Sequence, residues 1–428
     1  MEQKYDIFRD PIHGFINVYD VEKDIINSQP FQRLRRIRQL GLTNLVYHGA
    51  EHSRFGHSIG VMNFASKVFD SLTIRYDPLL REALKWDDNK RKMAKQKLRL
   101  AALLHDIGHA PFSHAAESLF PETAGKRENH ETYGEKIVDQ TEVGQIIERY
   151  SANTGVSKKD VLELMSKKPL GLENNLLRNI FVGDLDTDRM DYLLRDSLYA
   201  GVQYGKFDSD RLIEKLGLLQ KKDDGSLVIA IEESGLHAAE GMLLARYFMF
   251  TQVYFHQIRR IYDIHLRKII QEGLKEQFKR PEYPDDVKKY LELDDNVIFS
   301  FIRQKANDKS LEEAVFVQDR TYYCLIKWTS EHAQGGEITE FEKNVQALCH
   351  KYGKESVIKD VSLNAPYNYD YRKGEDRLMV ILNDEKPKDI SKRSILIENL
   401  PEIYQYRVYV HPNYYEDAKS MLDNRNKQ

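Results

Sequence analysis

Four short segments carry histidine and aspartate side chains of the kinds that bind metals and move protons. They are HSRFGHSIG with His57, LLHDIGH with the pair His105–Asp106, ENHET with His130, and DLDTDRMDY with Asp188. Imidazole nitrogens and carboxylate oxygens brought together from distant segments can hold a divalent metal that keeps open coordination positions. The set therefore predicts a metal-dependent hydrolase.

The His105–Asp106 pair follows a segment of helix-forming composition that begins at Lys95. On a continued helix, His109 lies one turn beyond His105 and Asp106 projects into the neighbouring sector. We expect this helix to run to His109 and to end before Pro111, whose ring cannot continue it. Burying such a polar sector is costly unless a partner compensates, and a metal ion is the natural partner. The alternative is a set of core histidines satisfied by hydrogen bonds, which we would favour for a lone histidine but not for this group.

The late acidic segment has a helical spacing of its own. Asp188, Tyr192 and Asp196 are four residues apart, so they share one helical face, which Arg189 and Arg195 flank. These groups suit a metal ligand, a phosphate contact and a sugar-hydroxyl contact. The alternative is a surface helix with i,i+4 charge pairs, each worth a few tenths of a kcal/mol. Taken alone, the segment fits that alternative slightly better.

The order His, His-Asp, Asp resembles the HD-domain metal-dependent phosphohydrolase superfamily. Five segments in the same order are similar in finer detail to its deoxynucleoside triphosphate triphosphohydrolases: DPIHGFI (10–16), PFQRLRRIRQLG (30–41), HSRFGHSIGV (52–61), HDIGHAPFSH (105–114) and DLDTDRMDYLLRD (184–196). The similarity covers residues 5–270. No sterile-alpha-motif domain precedes these segments, so we expect the shorter bacterial type.

The resemblance implies a ligand set and two catalytic groups. By position, the metal ligands are His57, His105, Asp106 and Asp188. The catalytic histidines are His109 and His130, since imidazole titrates near neutral pH. Two nitrogen and two carboxylate ligands suit Mn, Fe, Zn, Ni or Mg without distinguishing among them.

The resemblance further implies a deoxynucleoside triphosphate as substrate and attack at its α-phosphorus, which gives a deoxynucleoside and tripolyphosphate. The implied triphosphate contacts are Arg54, His114, Arg189 and Tyr192. The implied sugar contacts are Gln39 and Asp196, where a tight fit against a 2′-hydroxyl selects deoxyribose, and Tyr262 is implied to lie near the base. Two alternatives stay open: another HD reaction, by a phosphodiesterase or a nucleotidase, and a non-catalytic nucleotide sensor or nucleic-acid-binding protein.

Regulation by nucleotides and assembly into a homo-oligomer, dimer or tetramer, are also implied by the resemblance. The matching regulatory positions are Asn27, Gln32 and Arg35. The vertebrate member has an aspartate where this chain has Asn27, and an amide presents different hydrogen-bonding groups from a carboxylate. Guanine-specific activation therefore does not carry over, and another activator or none fits. A solvated helix face explains the arginine run 33–38 equally well.

Composition fits a protein of this kind without identifying it. The chain has 428 residues, enough for two domains, and its net charge of −3 gives no overall attraction to nucleic acid. No apolar run approaches the ~18 residues of a membrane span, and the N-terminus lacks a signal-peptide core. Cys324 and Cys349 have no metal-type spacing, and they fit free thiols in a reducing cytoplasm.

We predict a mostly α fold: a helical HD core over residues 1–275 with one short β-hairpin near Gly225–Ile231, followed by a smaller α+β domain over 276–428. Residues 236–275 predict one or two long helices, and 85–97 and 121–128 predict surface connections. In the second part TYYCLIKW, RLMVILN, SILIENL and YQYRVYV predict strands, and GEITEFEKNVQALCHKYG predicts a helix. The tyrosine-rich basic stretch 367–373 fits a solvated loop better than a nucleic-acid or nucleotide contact.

Overall fold

The computed structural model describes residues 5–123, 125–166, 170–365, 378–383 and 386–425. Its helices are α1 (Asp20–Asn27), α2 (Gln29–Gln32), α3 (Arg54–Arg75), α4 (Asp77–Leu84), α5 (Asp88–Leu104), α6 (His130–Gln140), α7 (Glu142–Thr154), α8 (Lys158–Met165), α9 (Leu172–Phe181), α10 (Thr187–Ala200), α11 (Ser209–Lys215), α12 (Leu236–Met249), α13 (Gln257–Phe278), α14 (Val287–Leu291), α15 (Asp295–Asn307), α16 (Glu312–Gln318), α17 (Gly335–Tyr352), α18 (Ile395–Glu398) and α19 (Tyr415–Arg425). A π-helical turn at Phe250–Tyr254 connects α12 to α13.

The strands are short and belong to small sheets. They are β1 (Tyr5–Asp10), β2 (Gly14–Tyr19), β3 (Glu122–Thr123), β4 (Lys126–Arg127), β5 (Leu216–Gln220), β6 (Leu227–Glu232), β7 (Cys324–Trp328), β8 (Val357–Asn364), β9 (Met379–Ile381), β10 (Lys388–Asp389) and β11 (Ile403–Val410). Strands β1 and β2 form one hairpin and β3 and β4 another. The larger sheets have the strand orders β10-β9-β6-β5 and β7-β11-β8. The prediction of a mostly helical fold with a C-terminal α+β region is confirmed.

The main hydrophobic core is built around α3 and α5. Apolar side chains on both helices are fully buried, including Val61, Ala65, Leu100 and Leu103. Helices α14 to α16 also contribute to this core, and so does β9, which pairs in parallel with β6. The later part of the chain thus shares a core with the earlier part, and the proposed division at residue 276 stays a prediction.

Three local predictions were wrong. Helix α5 ends at Leu104 instead of continuing to His109, because residues 105–108 form a tighter turn. Residues 88–97 are the first turns of α5 rather than a surface connection, since Asp87 accepts the Lys90 amide at 2.8 Å and caps the helix. SILIENL forms the short helix α18, because the Ser394 hydroxyl accepts the amide of Ile397.

The other local predictions agree with the structure. The hairpin near residue 225 is the antiparallel pair β5–β6, and residues 236–275 form α12, the π-helical turn and most of α13. Helix α17 covers the segment predicted to be helical in the C-terminal part. The tyrosine-rich stretch 367–373 lies outside the described residues. Within the described ranges, every helix is too short or insufficiently apolar to span a membrane.

Candidate metal and catalytic site

Three elements bring the four predicted metal ligands together. His57 projects from the first turn of α3, Asp188 from the first turn of α10, and His105 and Asp106 from the turn after α5. Nε2 of His57 lies 3.0 Å from Oδ1 of Asp188 and 3.5 Å from Oδ2 of Asp106. Nε2 of His105 lies 3.5 Å from Oδ1 of Asp188 and 3.4 Å from Oδ1 of Asp106. We name these four residues the metal-ligand cluster.

The tautomers of both histidines suit metal binding. Nδ1 of His105 lies 2.8 Å from the carbonyl oxygen of Ala102, which can only accept, so Nδ1 carries the proton. Nδ1 of His57 is held in the same way by the Asp191 carboxylate at 2.8 Å. In the neutral form of each ring, the Nε2 lone pair is therefore directed into the metal-ligand cluster, as in metal sites whose ligands are oriented by outer hydrogen bonds.

The electrostatics of the metal-ligand cluster favour a cation. Burial alone would lower the pKa of His57, yet the carboxylates of Asp188 and Asp191 raise it to about 10. Among the residues that the structure describes, Nε2 of His105 is a buried atom with no hydrogen-bond partner. An unpaired nitrogen beside the buried carboxylate of Asp106 and the half-buried carboxylate of Asp188 fits a divalent metal. The donor atoms of His57, His105 and Asp188 lie close enough together to hold one.

Behind His57 lies a buried charge network that the sequence analysis missed. Asp191 is fully buried, and it also accepts from His13 Nε2 at 2.7 Å and from Arg195 Nε at 2.8 Å. Arg195 in turn contacts Asp10 at 3.0 Å. His13 and Asp10 belong to the segment DPIHGFI, and Asp191 lies one turn from Asp188. The sequence could have indicated the network because these polar residues lie in the matching segments without an assigned role.

Arg54 pairs with the predicted metal ligand Asp106. Its guanidinium pairs with Asp106 through Nη1, and its Nε donates to the hydroxyl of Ser113 at 2.7 Å. The side chain is buried, with 3% of its surface exposed. Its predicted contact with the triphosphate stays a prediction, since in this structure its described partners belong to the protein.

A second group of side chains lies beside the metal-ligand cluster. The rings of His109 and His130 stack with centroids 3.9 Å apart, and Nε2 of His109 lies 3.2 Å from Oδ1 of Asp106. Glu117, which the sequence analysis missed, lies 2.6 Å from Nδ1 of His130 and 3.0 Å from Nδ1 of the exposed His114. We name His109, His114, Glu117 and His130 the histidine cluster. Their donor atoms also lie close enough together to hold a cation.

The histidine cluster has two electrostatically different parts. Burial, with the nearby charges of Arg54 and His130, holds the pKa of His109 well below its usual value. Burial of Glu117 opposes its ionisation, but His114 and His130 lower its pKa more strongly. His109 is therefore neutral near pH 7 and a weaker base than a free imidazole, while an ionised Glu117 orients the ring of His130.

The predicted face of α10 is present, and on it Tyr192 and Asp196 have different surroundings. The carboxylate of Asp196 is held by His52 Nε2 and by the hydroxyl of Tyr254, each at 2.7 Å. Arg189 donates to the carbonyl of Asp184 at 3.0 Å. Tyr192 is half-buried beside Arg246, and burial raises its pKa. His52, Tyr254 and Arg246 were missed, because only the fold places them next to α10.

The structure brings Gln39 to this region but not Tyr262. The backbone N–H of Gln39 donates to the carbonyl of His52 at 3.0 Å. The side-chain Oε1 of Gln39 has no partner among the described residues. Tyr262 lies in the core, 1% exposed, with its ring 5.5 Å from that of Tyr322. No described contact links Tyr262 to α10. Tyr254, two turns earlier, is the tyrosine that touches Asp196.

The predicted regulatory positions lie on one surface at the end of α1 and α2. Asn27 and Arg35 are exposed, Gln32 donates to the carbonyl of Ile26 at 2.7 Å, and Arg35 stacks 3.5 Å from the ring of Phe55. The neighbouring Arg33 does not belong to a solvated face. It is buried and donates to the carbonyls of His109 and Leu293.

Comparisons with known proteins give matches to two family models and to several relatives. Residues 54–196 match the model of the HD domain, and residues 207–423 match that of the HD associated region. An uncharacterised protein of Bacillus subtilis is 31% identical over 92% of this chain and 89% of its own. The deoxynucleoside triphosphate triphosphohydrolase SAMHD1 homolog of Dictyostelium discoideum is 30% identical over 75% of this chain and 60% of its own.

Two solved structures share the fold. A hypothetical protein from Aquifex aeolicus superimposes with a TM-score of 0.79, is 32% identical, and covers 98% of this chain and 100% of its own. A phosphohydrolase from Bacteroides thetaiotaomicron gives a TM-score of 0.71 at 26% identity, covering 95% of this chain and all of its own.

Proposed function

Since this chain belongs to the HD-domain family of phosphohydrolases, we propose that it hydrolyses deoxynucleoside triphosphates to deoxynucleosides and tripolyphosphate. The observation that carries the proposal is the contact between the two clusters, His109 Nε2 to Asp106 Oδ1 at 3.2 Å. A proton-transfer group beside a metal ligand suits metal-assisted hydrolysis, because it lies within reach of groups bound at the metal. The resemblance of the five segments and the SAMHD1 homolog of Dictyostelium supply the choice of substrate.

The residues of the metal-ligand cluster would hold the metal through Nε2 of His57 and His105 and the carboxylates of Asp106 and Asp188. When bound, a divalent metal supplies Lewis-acid chemistry and offsets the charge on phosphate oxygens. His109, kept neutral by burial, holds or accepts a proton at the edge of the cluster. Glu117 fixes the orientation of His130, which stacks on His109.

The face of α10 supplies the proposed substrate contacts. Arg189 and Tyr192, with the exposed His114 and the inner Arg54, are proposed to hold the triphosphate, whose charge needs cationic groups in the transition state. Asp196 and Gln39 are proposed to bind the sugar. Asp196 is already fixed by His52 and Tyr254, so its position is rigid enough to exclude an added 2′-hydroxyl by fit.

We also propose that Asn27, Gln32 and Arg35 bind an activating nucleotide. The supporting observation is that Arg35 stacks on Phe55, the neighbour of Arg54 in α3, so a ligand at this surface would touch a residue next to the site. A homo-oligomer, dimer or tetramer, is proposed with it. Cytoplasmic location stays a prediction.

A product assay tests the proposed activity. The purified chain is incubated with Mn²⁺ and a panel of deoxynucleoside triphosphates, ribonucleoside triphosphates, nucleoside monophosphates and cyclic dinucleotides, with and without each deoxynucleotide as an added activator. Tripolyphosphate released from deoxynucleoside triphosphates, and lost in His105→Ala, supports the proposal. Monophosphate from a cyclic substrate would instead identify a phosphodiesterase, orthophosphate from monophosphates a nucleotidase, and binding without turnover a sensor.

A further inference from the structure

Two consecutive residues beyond the histidine turn have an unusual backbone conformation. Phe112 has φ = +57° and Ser113 has φ = +59°, in the left-handed region that favours glycine. Neither residue is a glycine, and non-glycine residues hold this conformation only when the surrounding structure compels it. The segment lies three residues after His109, so whatever compels it is close to the proposed site.

The first turn of α15 supplies the constraint. Oδ1 of Asp295 accepts the amide of Phe112 at 2.7 Å, and Oδ2 accepts the amide of Arg38 at 2.8 Å. Asp295 is 3% exposed. One turn later on α15, the ring of Phe299 packs edge-on against that of Phe112, with centroids 5.0 Å apart. Helix α15 therefore holds both the backbone and the side chain of Phe112.

The consequence appears at Ser113. In its left-handed conformation, this buried hydroxyl donates to the carbonyl of Arg38 at 2.6 Å and accepts from Nε of Arg54 at 2.7 Å. The peptide units of Arg38 are thus held at the N–H by Asp295 and at the carbonyl by Ser113. Arg54, fixed through its Nε, directs Nη1 at Oδ2 of Asp106.

We propose that Asp295 is a positioning residue for the metal ligand Asp106. It acts through Ser113 and Arg54, because the guanidinium of Arg54, once fixed, pairs with Oδ2 of Asp106. The other oxygen, Oδ1, is then presented to Nε2 of His105 at 3.4 Å and to Nε2 of His109 at 3.2 Å. The proposal rests on the proposed function only in requiring a metal at this cluster, and it assigns α15, beyond the HD-domain match, a role in that site.

The test compares Mn²⁺ affinity, measured by the electron paramagnetic resonance signal of free Mn²⁺, across three variants. Asp295→Asn keeps the volume but turns an NH₂ group toward one of the two backbone amides. Ser113→Ala removes the hydroxyl that holds Arg54. Asp294→Asn is the matched control: it makes the same charge change at the residue that caps α15, and asparagine still caps the Val297 amide. It weakens only the pair of Asp294 with the exposed Arg36 and leaves both amides on Asp295.

We expect Asp295→Asn and Ser113→Ala each to weaken Mn²⁺ binding by about 10- to 100-fold, as outer-shell substitutions do, while Asp294→Asn leaves it unchanged. Because the two residues act in series, the double variant should lose no more than the more damaging single variant. Melting temperatures of all four variants separate a general loss of stability from a loss at the site.

The proposal would be overturned if Asp295→Asn and Ser113→Ala both bind Mn²⁺ with wild-type affinity. It would also be overturned if their losses of affinity add in the double variant. Ser113→Ala keeps the test decisive if Asp295→Asn fails to fold. The titration needs no substrate, so a protein that binds Mn²⁺ but hydrolyses no deoxynucleotide would refute the proposed function and still decide this question. A wild-type protein that binds no Mn²⁺ would overturn both.

Discussion

Three of the four predicted metal ligands have a second partner that fixes their orientation. Asp191 holds His57, the Ala102 carbonyl holds His105, and Arg54 holds Asp106. Ligands that are oriented before the metal binds lose less conformational freedom on binding, so such partners strengthen a site. The histidine cluster is arranged in the same way, because Glu117 fixes His130.

His109→Ala and His130→Ala should separate catalysis from metal binding. Neither residue belongs to the metal-ligand cluster, so we expect Mn²⁺ to remain bound while turnover falls by about 10²- to 10⁴-fold, the usual contribution of a general acid or base. Steady-state kinetics and a Mn²⁺ titration on the same preparations measure the two effects. Full activity in both variants would refute their catalytic assignment. If both variants instead lose Mn²⁺ binding together with activity, His109 and His130 are metal ligands.

Close packing of α3 against α10 sets the distance between His57 and Asp188. At Gly60 on α3, an added Cβ would lie 1.9 Å from Oδ1 of Asp191 and 2.6 Å from Nη2 of Arg195. Neither atom can retreat, since both belong to the buried charge network. A residue without a side chain is therefore needed where the two helices cross.

Gly60→Ala should destabilise the protein by about 1–3 kcal/mol, the usual cost of overpacking a tight contact, and weaken Mn²⁺ binding with it. Gly241→Ala is the matched control, because Gly241 is also inside a helix and a Cβ there meets only the Phe207 Cβ at 3.9 Å. It should instead stabilise by about 0.5–1 kcal/mol. Denaturant unfolding measures the free energy of unfolding of both variants, and equal changes in it would contradict the packing argument.

The C-terminal part of the chain is joined to the helical part by buried polar contacts. Arg407 of β11 donates to the carbonyl of Phe255 at 2.7 Å, directly after the π-helical turn that carries Tyr254. Arg260 of α13 pairs with the buried Asp360 of β8. The position of Tyr254 against Asp196 thus depends on both parts, and we expect the whole chain to unfold cooperatively.

Stability should fall below neutral pH partly because of His265, which is buried on α13 against Phe316 and Tyr323. Burial, with the charge of Lys268, lowers the pKa of His265 to about 4. The unfolded chain, with a histidine pKa near 6.5, binds the proton more tightly, so stability is lost as the pH falls from 6.5 toward 4.

His265→Gln should remove that part of the pH dependence, worth about 3 kcal/mol at most between pH 7 and pH 4. The free energy of unfolding, measured across this range for wild type and variant, gives the difference directly. His237→Gln is the control, because its side chain is 93% exposed. An unchanged slope in His265→Gln would show that His265 is accessible to protons in the folded state.

The candidate residues of the site could be named from the sequence because metal ligands and proton carriers come from few residue types. His57, His105, Asp106, His109, His130 and Asp188 were all named from their segments, and the fold brings them into two adjoining clusters. The mostly helical class followed from apolar periodicity and from the five matching segments. Both kinds of information are local in the chain.

Contacts between distant segments were decided only by the tertiary structure. Asp191, Glu117, Tyr254 and Asp295 look like ordinary polar or aromatic residues, and their roles arise from neighbours 13 to 183 positions away. Helix propensity favoured continuing α5 to His109, but tertiary hydrogen bonds to the backbone of the following turn compensate for ending it at Leu104. The sequence determined which groups could react, and packing determined their orientation, because hydrogen bonds and excluded volume act through space rather than along the chain.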